Sequence, residues 1–218
     1  MIVHPLVERL NWRWADFRGS DSALKWNRRD LPALDELMQM APRRRVAVQA
    51  GGNLGIFAKY LARTFDAVYT FEPAPALFPL LVHNAPEPNI VRFQAALGCQ
   101  REGVRMAQVR RDDKPDAHEG ITHVAGPGMI PTLRLDDLAL PVCDLLALDL
   151  EGWELYALQG SVETIRRTRP VISCEINKSL GFVGLQPDQV YEVLRRLDYR
   201  FVAKRESDEF WLPTERAS

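Results

Sequence analysis

The sequence has no excess of charge of either sign: 28 lysines and arginines stand against 29 aspartates and glutamates, a formal net charge of −1. Bulk electrostatics therefore supply no pull toward nucleic acid or an anionic membrane. The arginine clusters at 28–29, 43–45, 166–167 and 195–196 sit at expected helix ends or ahead of strands, with acids nearby, and read as solvated surface. Cysteine is scarce. Cys99, Cys143 and Cys174 lie far apart without metal-ligand spacing, and their odd number points to free thiols in a reducing compartment. His4, His83, His118 and His123 show no ligand spacing either, so no metal is expected. No apolar run is long enough to span a bilayer, and the opening MIVHPLVERLNWRW lacks the basic-then-apolar order of a secretory signal. The expectation is a cytoplasmic protein with no membrane or nucleic-acid partner. Repeats and low-complexity tracts are absent too.

What is present suits one large domain, since 46% of the 218 residues are hydrophobic. Residues 1–29 are irregular and aromatic-rich, with Trp12, Trp14, Phe17 and Trp26. Asp30 is placed to cap a helix whose apolar face is Leu34, Leu37, Met38 and Ala41. From Arg45 onward, strands and helices alternate. VAVQA, AVYTFE, NIVRFQAAL, VCDLLALDL and RPVISCEI read as strands. Helices fall on Ile56 to Leu61, on APALFPLLVHN, on the stripe Leu155, Leu158, Val162 and Ile165, and on the segment opened by Pro187 and Asp188. Residues 99–130 break the rhythm: REGVRMAQVRRDDKP suits a hairpin, and HEGITHVAGPGMIP reads as a mobile loop. YRFVAKRE and DEFWLP close the chain as an antiparallel pair. The alternation predicts an α/β fold, a mostly parallel sheet with helices on both faces and a C-terminal antiparallel hairpin. An N-terminal extension, 1–44, would precede a domain at 45–218.

Ligands of such sheets bind outside the carboxyl ends of the strands, at the switch point. The first strand runs into Gly51-Gly52-Asn53-Leu54-Gly55, a glycine turn that opens a helix and suits an anion or a nucleotide. The second ends in Glu72-Pro73, 17 residues after Gly55, where an acid can accept both hydroxyls of a ribose. Asp149, Glu151 and Glu154 crowd around Gly152 after the fourth strand, and Glu175 ends the fifth. Carboxylates gathered at one rim raise one another's pKa, which suits holding an ammonium or taking a proton. Glu154 also suits the start of a helix, where an acid complements the dipole, and that reading is preferred for it.

The order GGNLG, FEP, Asn84, TLRLDDL, DLLALDLEGWELYALQG and RPVISCE resembles the FkbM-type methyltransferases over roughly residues 45–205. The most specific part is D-x-E-G-x-E-x-x-x-L-x-G, from Asp149 to Gly160. The resemblance implies a seven-stranded Rossmann-like sheet and S-adenosyl-L-methionine as cofactor. It also implies that Gln49, Gly51, Gly52, Asn53 and Gly55 surround the methionine moiety, that Glu72 holds the ribose, and that Gln94, Ala95 and Ala96 border the adenine. Asp149 and Glu151 would face the methyl group and the amino-acid end, and Glu175 would orient an acceptor hydroxyl. Two positions depart from the family pattern: Gln49 stands where an acid is usual, and Ala147 where lysine is frequent.

Two other readings compete. Ala50 to Gly55 also fits a loose dinucleotide fingerprint, with Glu72 on an NAD ribose. However, the chain has no Tyr-x-x-x-Lys couple for hydride chemistry. A catalytically inactive binding protein of the same fold is the third reading, opposed by the joint retention of Glu72, Asp149 and Glu151. The expected reaction is O-methylation of a small-molecule or glycan acceptor. Residues 104–130 and the aromatic N-terminus are where acceptor choice would be written.

Overall fold

The computed structural model describes residues 31–108 and 122–216. The first half contains α1 (residues 31–40), β1 (Val46–Ala50), α2 (Ile56–Leu61), β2 (Ala67–Phe71), α3 (Phe78–Asn84), β3 (Ile90–Phe93), β4 (Ala96–Leu97) and β5 (Gly103–Gln108). The second half contains β6 (Thr122–Pro127), β7 (Ile130–Leu133), β8 (Leu145–Leu148), α4 (Glu154–Gln159), α5 (Val162–Thr168), β9 (Val171–Glu175), α6 (Pro187–Arg196), β10 (Tyr199–Arg205) and β11 (Asp208–Pro213). Short 3-10 turns lie at Leu135–Leu138, Lys178–Val183 and Thr214–Arg216.

Seven strands form the main sheet in the order β10-β11-β9-β8-β1-β2-β3. Six of them, β10 included, run in one direction, and β11 alone is reversed, pairing antiparallel with both β9 and β10. Successive residues of the central strands enter different cores, which is why they read as unbroken apolar runs. Ala47 and Leu145 pack on one face with α1 and α2. Val48, Leu146 and Leu148 pack on the other with α4 and α6. Leu31, Leu34, Leu37 and Met38 of α1 share their core with Val68, Val171 and Phe210, so this helix covers the sheet directly. Asp30 and the aromatics before it lie outside the described residues.

At the opposite edge from the strand tips, Arg45 fastens β1 to β8. Its backbone N–H and Nε donate to Asp144 Oδ2 at 2.9 and 3.0 Å, and Nη2 donates to Oδ1 at 2.7 Å. Burial pushes the Asp144 carboxyl up, but the bonds from Arg45 outweigh it and hold the group below its usual range. This arginine was expected to be solvated surface; it is a tie between two strands.

Three sequence expectations need correction. NIVRFQAAL is two strands, because Ala96 and Leu97 leave the main sheet and pair with Thr132 and Leu133. The helix stripe breaks at Gly160-Ser161 into α4 and α5. A Cβ on Gly160 would stand 1.8 Å from the Gly98 carbonyl, so the chains cross too closely there for a continuous helix. Finally, much of the expected mobile loop is sheet. β4, β7, β5 and β6 form a second, four-stranded sheet, with Val104, Val124 and Ala96 as its small core. Gly103 and Gly128 permit tight backbone pairing there, as the 2.9 Å bond from Gly128 N–H to the Gly103 carbonyl shows. Residues 109–121 of the expected hairpin lie outside the described residues.

Candidate active site

The strand order reverses between β1 and its two neighbours, β2 and β8, and the loops after all three meet. The N–H groups of Gly51 and Gly52 both donate to the Phe71 carbonyl, at 3.0 and 2.8 Å, strapping the glycine turn to the tip of β2. Gly51 adopts φ +92°, and a Cβ there would lie 1.8 Å from the Asp149 carbonyl oxygen. Close approach is the reason for this glycine, as expected, but the chain that approaches is β8's own. A Cβ on Gly52 would meet Leu81 Cδ1 at 2.3 Å and Thr70 Oγ1 at 2.9 Å, so that position faces α3 rather than open space. Asn84 of α3 secures the far side of the turn by donating to the Leu54 carbonyl at 3.0 Å.

Gln49 lies behind the turn. Its Nε2 donates to the Gly51 carbonyl at 2.7 Å, and its Oε1 accepts from Thr70 Oγ1 at 2.6 Å. A carboxylate at this position has no hydrogen to give that carbonyl, so the amide acts as a brace that the usual acid could not provide. Gln49 was expected to contact cofactor, yet it does not line the cleft in front.

That cleft is open, about 600 Å³ counting the solvent space at its mouth. Gly51, Asn53, Glu72, Asp149 and Glu151 form its polar floor. Ala96, Leu77, Leu150 and Trp153 supply apolar sides. Met106, from the expected hairpin, and Thr122 and Val124, from the expected loop, make a wall built by the second sheet. Gln94 is exposed and Ala95 buried; neither lines the cleft, whereas the adjoining Ala96 does.

Glu72 is only 5% exposed. Its Oε2 accepts the Asn53 N–H at 2.6 Å and its Oε1 the Ala74 N–H at 2.8 Å. Burial raises its pKa, and the two backbone donors pull it partly back. One lone pair on each oxygen remains for a ligand in the cleft.

Asp149 lines the cleft, and its side chain is exposed to it. The protein packed about the carboxyl raises its pKa, and the charges of Glu175, Glu151 and Asp208 raise it further. One carboxylate oxygen from each of Asp149, Glu151 and Glu175 lies within 4.8 Å of the others. Such spacing lets the group share a proton or bind one cation. Ser207 Oγ donates to Glu175 Oε1 at 2.7 Å, while Glu175 Oε2 has no protein partner among the described residues.

Glu154 begins a helix, as expected, but from a buried position. It occupies the first position of α4, and its Oε1 turns back to accept the N–H groups of Leu150 and Gly152 at 2.8 and 3.2 Å. Burial, reinforced by Glu175, raises its pKa from 4.5 to about 7 against the pull of those donors. The folded protein therefore keeps a proton that the unfolded chain releases across this window. Stability should fall as pH rises from about 4.5 to about 7, by on the order of 3 kcal/mol from this group. Glu154→Gln should flatten that part of the profile in melting scans across the window; an unchanged slope would assign it to other groups.

The comparisons with known proteins fit this geometry. The chain is 28% identical over 141 residues to "Methyltransferase 1" of Beauveria bassiana, covering 52% of this chain and 57% of that protein. It thus spans little more than half the length of that curated relative. An FkbM methyltransferase from Methylobacillus flagellatus superposes with a TM-score of 0.50 at 17% identity, over 78% of this chain and 43% of that one. A SAM-dependent methyltransferase of Leishmania major gives 0.53 at 9% identity, over 91% and 79%. Both structures share the fold. Among the described residues no helix is long and apolar enough to cross a membrane. The model of the methyltransferase FkbM domain matches residues 49–201, from the brace behind the glycine turn into the edge strand β10. The chain belongs to that methyltransferase family.

Proposed function

We propose that the chain methylates a hydroxyl oxygen on a small-molecule or glycan acceptor. The observation that carries this reading is the convergence of Gly51, Glu72, Asp149 and Glu151, from three neighbouring strand ends, on one cleft. The cofactor's features match the donor set. Glu72 offers acceptor lone pairs to a ribose diol, and the acid floor suits the ammonium and sulfonium charges. The Gly51–Gly55 turn would wrap the methionine part, and Ala96 with the preceding Gln94 and Ala95 would border the adenine. S-adenosylmethionine supplies a methyl group already activated on sulfur, so the protein's task is alignment and exclusion of water.

The residues at the rim serve that task in distinct ways. Glu151 would hold the amino-acid end. Asp149 or Glu175 would take the proton of the acceptor hydroxyl, and the raised pKa of Asp149 makes it a stronger base than an ordinary carboxylate. Glu175 does not line the cleft itself and would act on that hydroxyl through Asp149, whose carboxylate it adjoins. Met106, Thr122 and Val124 would face the acceptor side. The three free thiols accord with work in a reducing, cytoplasmic setting.

S-adenosylhomocysteine at about a hundred times its Kd should raise stability by roughly 2.7 kcal/mol, and NAD should leave it unchanged. Thermal scans with each ligand make the comparison. A shift with NAD alone would return the dinucleotide reading to first place.

A further inference from the structure

The turn that follows β8 carries Asp149, Leu150, Glu151 and Trp153 into the cleft, and its backbone is not one that these residues adopt unaided. Glu151 has φ +50° and Gly152 φ +103°, two successive positive values. A Cβ on Gly152 would lie 2.3 Å from the Ser179 carbonyl, so the 3-10 turn at Lys178–Val183 backs this bend. From inside, Glu154 Oε1 holds the N–H groups on either side of Glu151. The helix that follows has no side-chain cap of its own. The other oxygen, Oε2, is buried without a hydrogen-bond partner among the described residues, so the side chain serves no wider network there.

We propose that Glu154 is a positioning residue: one carboxylate oxygen clips the 150–152 turn and thereby fixes Asp149, Glu151 and Trp153 at the geometry the cofactor meets. The inference rests on reading this cleft as the S-adenosylmethionine site. It gives the final acid of the D-x-E-G-x-E run a task distinct from touching ligand. Alignment is what methyl transfer asks of the protein, and a loosened turn misplaces three cleft residues together.

Two near-isosteric variants separate a clip from a filler. Glu154→Gln keeps an acceptor oxygen where Oε1 stands; Glu154→Met fills the space without one. Calorimetric titration with S-adenosylhomocysteine should give Glu154→Gln an affinity within about threefold of the parent, and Glu154→Met a loss of about tenfold or more. Amide exchange by NMR should show the Leu150 and Gly152 N–H groups protected in the parent and in Glu154→Gln, and exposed in Glu154→Met. Equal affinity and equal protection in both variants would overturn the proposal, leaving Glu154 as packing. Failure of the parent itself to bind S-adenosylhomocysteine would overturn the cofactor placement and this inference's link to it. The exchange rates would still decide whether the clip exists.

Discussion

Gly51→Ala is expected to yield little or no folded protein. The φ of +92° is one that L-residues rarely adopt, and the added Cβ would stand 1.8 Å from the Asp149 carbonyl oxygen. That oxygen belongs to backbone, so the clash cannot be relieved by a rotamer change; β1 and β8 would have to part at the centre of the sheet. Strain of about 1–3 kcal/mol and overpacking of at least the same size together approach the whole stability of a typical domain. Gly126→Ala is the control, since its φ is +101° but nothing lies within 4 Å of the new Cβ. It should cost only the strain, about 1–3 kcal/mol. Urea unfolding followed by circular dichroism compares the two. Equal losses would mean that conformation alone, and not the approach of β8, demands glycine at 51.

The same position shows what a sequence discloses about a site. GGNLG announced a turn with close backbone approach, and the turn is there. The approaching group was taken to be ligand, because sequence gives spacing along the chain but not which strand lies beside it. Glu72 was legible because Pro73 follows it and a helix begins soon after, which leaves a strand-tip acid few other places. β8 was legible because burial on both faces leaves no polar position between Leu145 and Leu148. The second sheet was not. β4 has two residues, and the partners of β5 are rich in glycine and proline, so alternation is too short to register against turn composition. The segment 104–130 is legible as the acceptor side, but the reach of Met106, Thr122 and Val124 into the cleft from strands is not.

Glu154 and Gln49 do more than their sequence pattern asks for, because each has a sufficient local explanation. An acid at the first position of a helix is favourable wherever it points, so nothing in the pattern asked for a buried one. The available signal was the glycine between Glu151 and Trp153, which implies a bend whose N–H groups need acceptors. For Gln49 the departure from a family acid suggested a weakened ligand. The structure shows an amide doing what only a donor can, holding the Gly51 carbonyl.

Glu72→Ala is expected to remove cofactor binding while leaving a folded but looser domain. Each oxygen of Glu72 already holds one backbone N–H, Asn53 at 2.6 Å and Ala74 at 2.8 Å, so the side chain latches the glycine turn before any ligand arrives. The lone pairs that remain are those proposed for the ribose diol. Losing two charge-assisted bonds to ligand, at about 1.5–3 kcal/mol each, corresponds to roughly 10²–10⁴ in affinity for S-adenosylhomocysteine. Removing the carboxylate also strands two backbone donors, but it relieves the burial that raises its pKa. The net loss of stability should therefore stay near 1–2 kcal/mol, well short of unfolding. Glu72→Gln should not rescue binding fully, because its single acceptor oxygen can serve only one of the two N–H groups. Calorimetry with S-adenosylhomocysteine and its 2′,3′-dideoxy analogue, on parent and variant, completes a double-mutant cycle that isolates the contact from the latch. The parent should prefer the diol strongly and the variant should not. Equal binding of both ligands by the parent would make Glu72 a latch alone and move the ribose elsewhere in the cleft.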